Sequence, residues 1–165
     1  MISLRAFTLA ALAMAGAPPG TAAPSHCAVG ERVVFSCAVG AKTVSVCAAG
    51  DLSSTGGTLR YRFGLMGQPE ITYPPEGAWR DVTRAGRWIF SGGGGAWLAF
   101  NRAPFRYVVY TAIGRGWGEK AGVAVEQDGR LLTNIPCLGT PVSELGPDFF
   151  TSAGIADDTA PFDVP

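Results

Sequence analysis

From Glu31 onward, apolar and polar residues alternate in short stretches broken by Gly, Pro and Asp. This is the period of half-buried strands, and no long helical stripe interrupts it. Residues 31–37 and 42–47 flank Ala38-Val39-Gly40-Ala41, which predicts a hairpin with Gly40 in its turn. Leu59, Tyr61 and Phe63 alternate with Arg60 and Arg62, giving one apolar and one charged face. A strand is expected over 69–73, stopped by Pro74 and Pro75, which offer no N–H to a ladder. Strands over 87–91 and 96–101 follow, joined by Gly92-Gly93-Gly94-Gly95 as a flexible loop, and 105–113 is the longest aromatic and β-branched run. Asp128-Gly129, between 122–127 and 130–137, is the strongest hairpin signal because both residues tolerate the positive φ of a type I′ turn. The expected fold class is all-β. It is a small antiparallel β-barrel or sandwich of about eight to nine short strands, stapled by disulfides and followed by an irregular C-terminal tail.

The first 30 residues hold one charge, Arg5, followed by a small-residue apolar run over 6–17 that leads into Pro18-Pro19-Gly20-Thr21-Ala22-Ala23. That is the layout of an export signal, cleaved after Ala22 or Ala23. A run of roughly a dozen residues is shorter than the ~20 a membrane span needs, so no transmembrane anchor is expected. Pro24-Ser25-His26 ahead of Cys27 does not form a lipobox. The expected organisation is a signal peptide over 1–23, a disulfide-containing β-domain over 24–137 and an acidic, Pro-containing tail over 138–165. A mature chain of about 140 residues can bury a real core, and the expected location is periplasmic or secreted.

Export places four cysteines in an oxidising compartment, where an even count reads as two disulfides. Zinc is the competing reading. It is weakened by the spacing of Cys27, Cys37 and Cys47, ten apart with no C-x-x-C pair, and by a single histidine, His26. A hairpin turn near Gly40 puts Cys37 close to the loop and Cys47 at the far end of the partner strand, beyond disulfide reach. Cys27, ahead of the first strand, lies at the Cys47 end. The geometry therefore favours Cys27–Cys47 with Cys37–Cys137 over the two other pairings.

Hydrophobic residues make up 47% of the chain and charged residues 16%, a balance that excludes disorder. The 13 basic residues match the 13 acidic ones, and no nucleic-acid partner is expected. The distribution is uneven: residues 24–137 carry 12 basic and 8 acidic groups, whereas 138–165 carry five acids and no base.

Catalytic motifs are weak. No G-x-S-x-G, H-E-x-x-H or S-x-x-K is present, and His26 reads as an exposed polar residue near the mature N-terminus. Paired carboxylates drawn from Glu70, Glu76, Asp81, Glu119 and Glu126 would suit a hydrolase. The tetraglycine leads into a strand-like run, Ala96-Trp97-Leu98-Ala99-Phe100, and not into the helix a phosphate loop requires. No cofactor is implied.

Six arginines and one acid fall between Arg80 and Arg115, interleaved with Trp88, Trp97, Phe105 and Tyr107. Arginine pairs well with phosphate and carboxylate, so this segment predicts a non-catalytic binding surface. It would consist of Arg87, Ser91, Gly92, Trp97, Arg102 and Arg106, and its partner would be an anionic envelope glycan or lipopolysaccharide, or a protein. The bland alternative is that the arginines decorate strand faces while the aromatics fill the core.

Phe35-Ser36-Cys37, Val44-Ser45-Val46-Cys47, Tyr61-Arg62-Phe63-Gly64 and the stretch from Ala121-Gly122-Val123 to Cys137 resemble a group of small exported bacterial proteins of unknown function. The resemblance covers most of 27–137 and implies a secreted disulfide domain without implying an activity. A fainter similarity is to the periplasmic inhibitors of c-type lysozyme, small β-barrels with a cysteine near the first strand bonded to one near the end. Cys37 and Cys137 match that pair. The inhibitors' Ser-Gly loop, which ends in Tyr, is met by Ser91-Gly92 with Gly95 at the Tyr position, and their Lys-Gly motif by Lys120-Ala121-Gly122. This similarity implies a lysozyme as partner.

Overall fold

The computed structural model describes residues 24–165, so the signal peptide expected over 1–23 lies outside the described residues. Two hairpins build most of the first sheet. β1 (Glu31–Val39) and β2 (Lys42–Ala49) pair across Gly40-Ala41, with Val39 opposite Lys42 and Gly40 at φ 68°. β3 (Leu59–Leu65) and β4 (Gln68–Tyr73) extend the meander. The short helix α1 (Trp79–Val82) then carries the chain to a second sheet. That sheet is a meander of β5 (Thr83–Phe90), β6 (Gly93–Arg102), β7 (Phe105–Gly114), β8 (Gly118–Gln127) and β9 (Arg130–Pro136). β8 and β9 join through Asp128 at φ 50° and Gly129 at φ 75°, the left-handed pair that Asp-Gly suits. β10 (Leu138–Ser143) crosses back to lie beside β1, and α2 (Pro147–Ala153) follows.

The strand orders are β10-β1-β2-β3-β4 and β5-β6-β7-β8-β9. Each sheet keeps two edges, so the barrel-or-sandwich alternative resolves to a sandwich. Its core takes alternate residues from both inner faces: Phe35, Val44, Val46 and Tyr61 from the first sheet meet Leu98, Phe100 and Val109 from the second. Tyr61 bridges the layers, with its ring centroid 5.3 Å from Tyr107 and 5.7 Å from Phe100. Burial raises the Tyr61 phenol far above its ordinary range, and neighbouring Tyr107 adds to the effect.

Both disulfides form in the favoured pairing. Cys27 is bonded to Cys47 and Cys37 to Cys137, with Cα separations of 5.3 and 5.6 Å. The longer link staples β1 to the end of β9 across 100 residues.

Three expectations need correction. The tetraglycine is not a flexible loop: Ser91 and Gly92 make the turn, and Gly93, Gly94 and Gly95 lie inside β6. A Cβ on Gly93 or Gly95 would collide with the backbone oxygens of Ile113 or Thr111 on β7, so these glycines permit close strand approach. Residues 138–165 are not an irregular appendage. They supply an edge strand, two core phenylalanines (Phe149 and Phe150) and a strap across the second sheet. His26 is only partly exposed, with its Nε2 3.2 Å from both Thr43 O and Gly64 O, two acceptors that an N–H at that nitrogen serves.

Candidate functional site

The outer face of the second sheet decides which predicted binding residues are available. On β6, Leu98 and Phe100 point into the sandwich, while Trp97 and Ala99 face the other way and join Trp88, Val108, Tyr110 and Ala124. This second apolar cluster is closed by Phe162, whose ring centroid lies 5.5 Å from Trp88 and 5.9 Å from both Trp97 and Tyr110. Burial raises the Tyr110 phenol, and its hydrogen bond to Asn134 Oδ1 partly offsets that. Trp97 is only 7% exposed, and its indole N–H donates to Asp158.

Arg106 is withdrawn from the surface by the same strap. Its guanidinium is paired with Glu126 and Asp158, all three side chains at most 11% exposed. Arg102 is exposed but sits at the opposite end of β6 from the glycines, stacked 5.6 Å from the Tyr73 ring. Burial raises the Tyr73 phenol, partly countered by the charge of Arg102. Of the six predicted binding residues, Arg87, Ser91 and Gly92 are exposed on the glycine-rich half of the second sheet, Ser91 and Gly92 in the β5–β6 turn and Arg87 within β5 opposite Ala96. Trp97, Arg102 and Arg106 do not join them.

At the glycine-rich end two turns lie side by side. The Arg115 N–H donates to Gly92 O at 3.0 Å, linking the β5–β6 turn to the β7–β8 turn. Gly92 is at φ 83°, a conformation that glycine adopts freely, and a Cβ there would press on the Arg115 side chain. Trp117 packs near Phe90 with its ring tilted 50° and centroids 6.0 Å apart, and stays 40% exposed. Ile89 and Ile113 flank Gly94 across the ladder and are 84% and 54% exposed. Lys120 Nζ lies 5.3 Å from the Trp117 ring centroid. Exposed residues thus flank both faces of the sheet at this end: Arg87, Ile89 and Ile113 alternate onto the side of Leu98 and Val109, whereas Trp117 and Lys120, the latter bonded to Pro165 O at 2.6 Å, lie on the other side, with Arg115 in the turn between.

At this end the sandwich gapes into an open hollow of about 670 Å³. The cause is residue size. One level down, Leu98, Val109 and Val123 fill the inter-sheet space; at the next level the cross-strand row is Ala96, Thr111 and Ala121, followed by Gly94. Small side chains there leave β10 and the Cys37–Cys137 link as a separate wall.

Sequence reasoning missed Ile89, Ile113 and Trp117. The available signal was Gly114-Arg115-Gly116-Trp117-Gly118, an aromatic set among turn-forming glycines with no strand partner to cover it.

The other chemistries receive less support from the geometry. Among the candidate carboxylates, Glu70 pairs with Lys42, Glu76 with Arg60 and Glu126 with Arg106. Each faces a cation. Cys27, Cys47 and Glu31 lie close enough to suggest a metal cluster, but the two sulfurs are bonded to each other. Glu31 instead holds Arg62 and the Ala28 N–H. Burial works to raise its carboxyl, yet those hydrogen bonds and the charges of Arg62 and Arg60 bring it below its ordinary value.

Comparison with protein-family models, with curated proteins and with solved structures finds no match.

Proposed function

We propose that this protein is an exported, non-catalytic recognition domain that docks on lipopolysaccharide through the glycine-rich end of its second sheet. The observation that carries this reading is that Ile89, Ile113 and Trp117 are all exposed, alongside exposed Arg87, Arg115 and Lys120, around the glycine-rich end of the second sheet. An amphiphile whose phosphates adjoin acyl chains offers both anionic and apolar groups, which is the complement of that end. A free glycan would use the cations and leave the isoleucines in water. The two disulfides fit a domain built for an oxidising compartment.

Titration of the protein with lipopolysaccharide micelles tests the proposal. Trp117→Ala and Arg115→Glu should each weaken binding about tenfold, and Arg102→Glu at the opposite end should leave it unchanged. Equal loss in all three would mean diffuse charge attraction and not a site.

A second reading, inhibition of c-type lysozyme, draws support from the exposed Ser91-Gly92 turn and from the Cys37–Cys137 link. Two open sheets, and Gly95 where the inhibitors carry Tyr, depart from the inhibitors' pattern. Stoichiometric slowing of cell-wall lysis, lost on Ser91→Trp, would establish it.

A further inference from the structure

We propose that the outer face of the second sheet is a peptide-binding groove, filled here by the chain's own residues 156–162 and able to take the same segment from a second copy. The strap is held as docked peptides are. Its backbone adds to the β5 edge in parallel: the Ala85 N–H donates to Ala156 O at 3.0 Å, and the Asp158 N–H donates to Ala85 O at 2.7 Å. The Trp88 indole N–H donates to Phe162 O at 2.6 Å. Backbone capture on a sheet edge, with pockets for selected side chains, is a general mode of peptide recognition.

Two side chains supply the selectivity. Asp158 accepts from Trp97 Nε1 and Arg106, and Phe162 enters the cage of Trp88, Trp97 and Tyr110, with the Arg106 guanidinium 5.7 Å from its ring centroid. The residues between them, Thr159, Ala160 and Pro161, are exposed. The groove thus reads an extended segment with an acid four places before an aromatic ring. Ile155 packs on the main core and Gly154 ends α2 at φ 65°, so the strap departs from a fixed point and its contacts begin at Ala156.

The contacts made in cis are equally available in trans, which is the condition for exchange between copies. In one chain the tethered strap acts at an effective concentration of about millimolar, so a free peptide meets a strong competitor. Releasing the tether should expose the site.

The test uses the full chain carrying Asp158→Ala and Phe162→Ala together, with a fluorescent synthetic peptide of residues 155–165 as probe. Binding at micromolar concentration to the variant, at least tenfold weaker binding to wild type, and loss of binding when the peptide's own Asp and Phe are replaced by Ala are expected. A folded variant that ignores the peptide, or equal binding to both proteins, would overturn the proposal. Should the variant fail to fold, hydrogen exchange on wild type serves instead. Excess peptide should speed exchange of the Asp158 N–H, and an unchanged rate would refute the groove.

Discussion

Trp97 donates its indole N–H to the Asp158 carboxylate at 3.1 Å, across 61 positions of sequence. The contact explains why the most conspicuous aromatic beside the glycines is not a surface residue. Trp97→Ala should therefore act on stability, costing about 3–5 kcal/mol as other buried aromatic truncations do. Trp117→Ala should change stability by no more than about 0.5 kcal/mol. Urea denaturation of the two variants checks this. Similar midpoint shifts for both would contradict the assignment of Trp97 to the interior and Trp117 to the surface.

Arg106 holds two carboxylates, Glu126 and Asp158, in a setting where all three side chains are nearly shut from water. Removing the cation leaves two like charges facing each other without a counter-charge, Asp158 keeping only neutral donors such as the Trp97 indole N–H. Arg106→Leu should cost about 3–5 kcal/mol, and adding Glu126→Gln with Asp158→Asn should recover a large part of it. Thermal unfolding of the single and triple variants measures the recovery. A triple variant as weak as the single one would show that lost packing, not uncompensated charge, dominates.

Local pattern carried much of this fold. The Gly40 and Asp128-Gly129 turns and the strands beside them were legible because turn chemistry and alternation act over a few residues. Even the disulfide pairing could be argued, since a hairpin fixes which cysteines lie at one end. The strap was not legible. Asp158 and Phe162 are bound by partners at Trp97, Arg106, Trp88 and Tyr110, and a single acid and ring among prolines carry no periodicity to announce that. The glycines misled for a related reason: four in a row read as a flexible link, whereas Gly93 and Gly95 let β6 approach β7 closely, a requirement set by a partner strand. The exposure of Arg87, Ser91 and Gly92 was readable from local chemistry. Trp97, Arg102 and Arg106 were not placeable, because alternation does not say which face of a sheet will be covered.

Glu31 links folding to pH. Burial opposes ionisation of its carboxyl, but the bonds from Arg62 and the Ala28 N–H and the nearby arginine charges outweigh it, so its folded pKa lies below the ordinary 4.5. A lowered folded pKa adds stability that is fully present above the unfolded value and is lost as pH falls through the folded one. Wild type should lose stability relative to Glu31→Gln as the pH is taken from 6 to 3. Denaturation curves at each pH decide it; a constant difference between the two proteins across that range would remove Glu31 from the acid response.

Trp79, at 1% exposed, and Trp97, at 7%, are buried, and Trp88 is partly covered, so Trp117 is the tryptophan most open to an aqueous quencher. This makes iodide quenching of tryptophan fluorescence, with and without lipopolysaccharide micelles, the most direct test of the proposed docking surface. Docking through the glycine-rich end should take Trp117 out of water and lower the quenching constant, and raising the salt concentration should reverse the effect because Arg87, Arg115 and Lys120 supply the attraction. Quenching that stays unchanged at saturating lipopolysaccharide and low ionic strength would contradict the assignment of this end of the sheet as the binding surface.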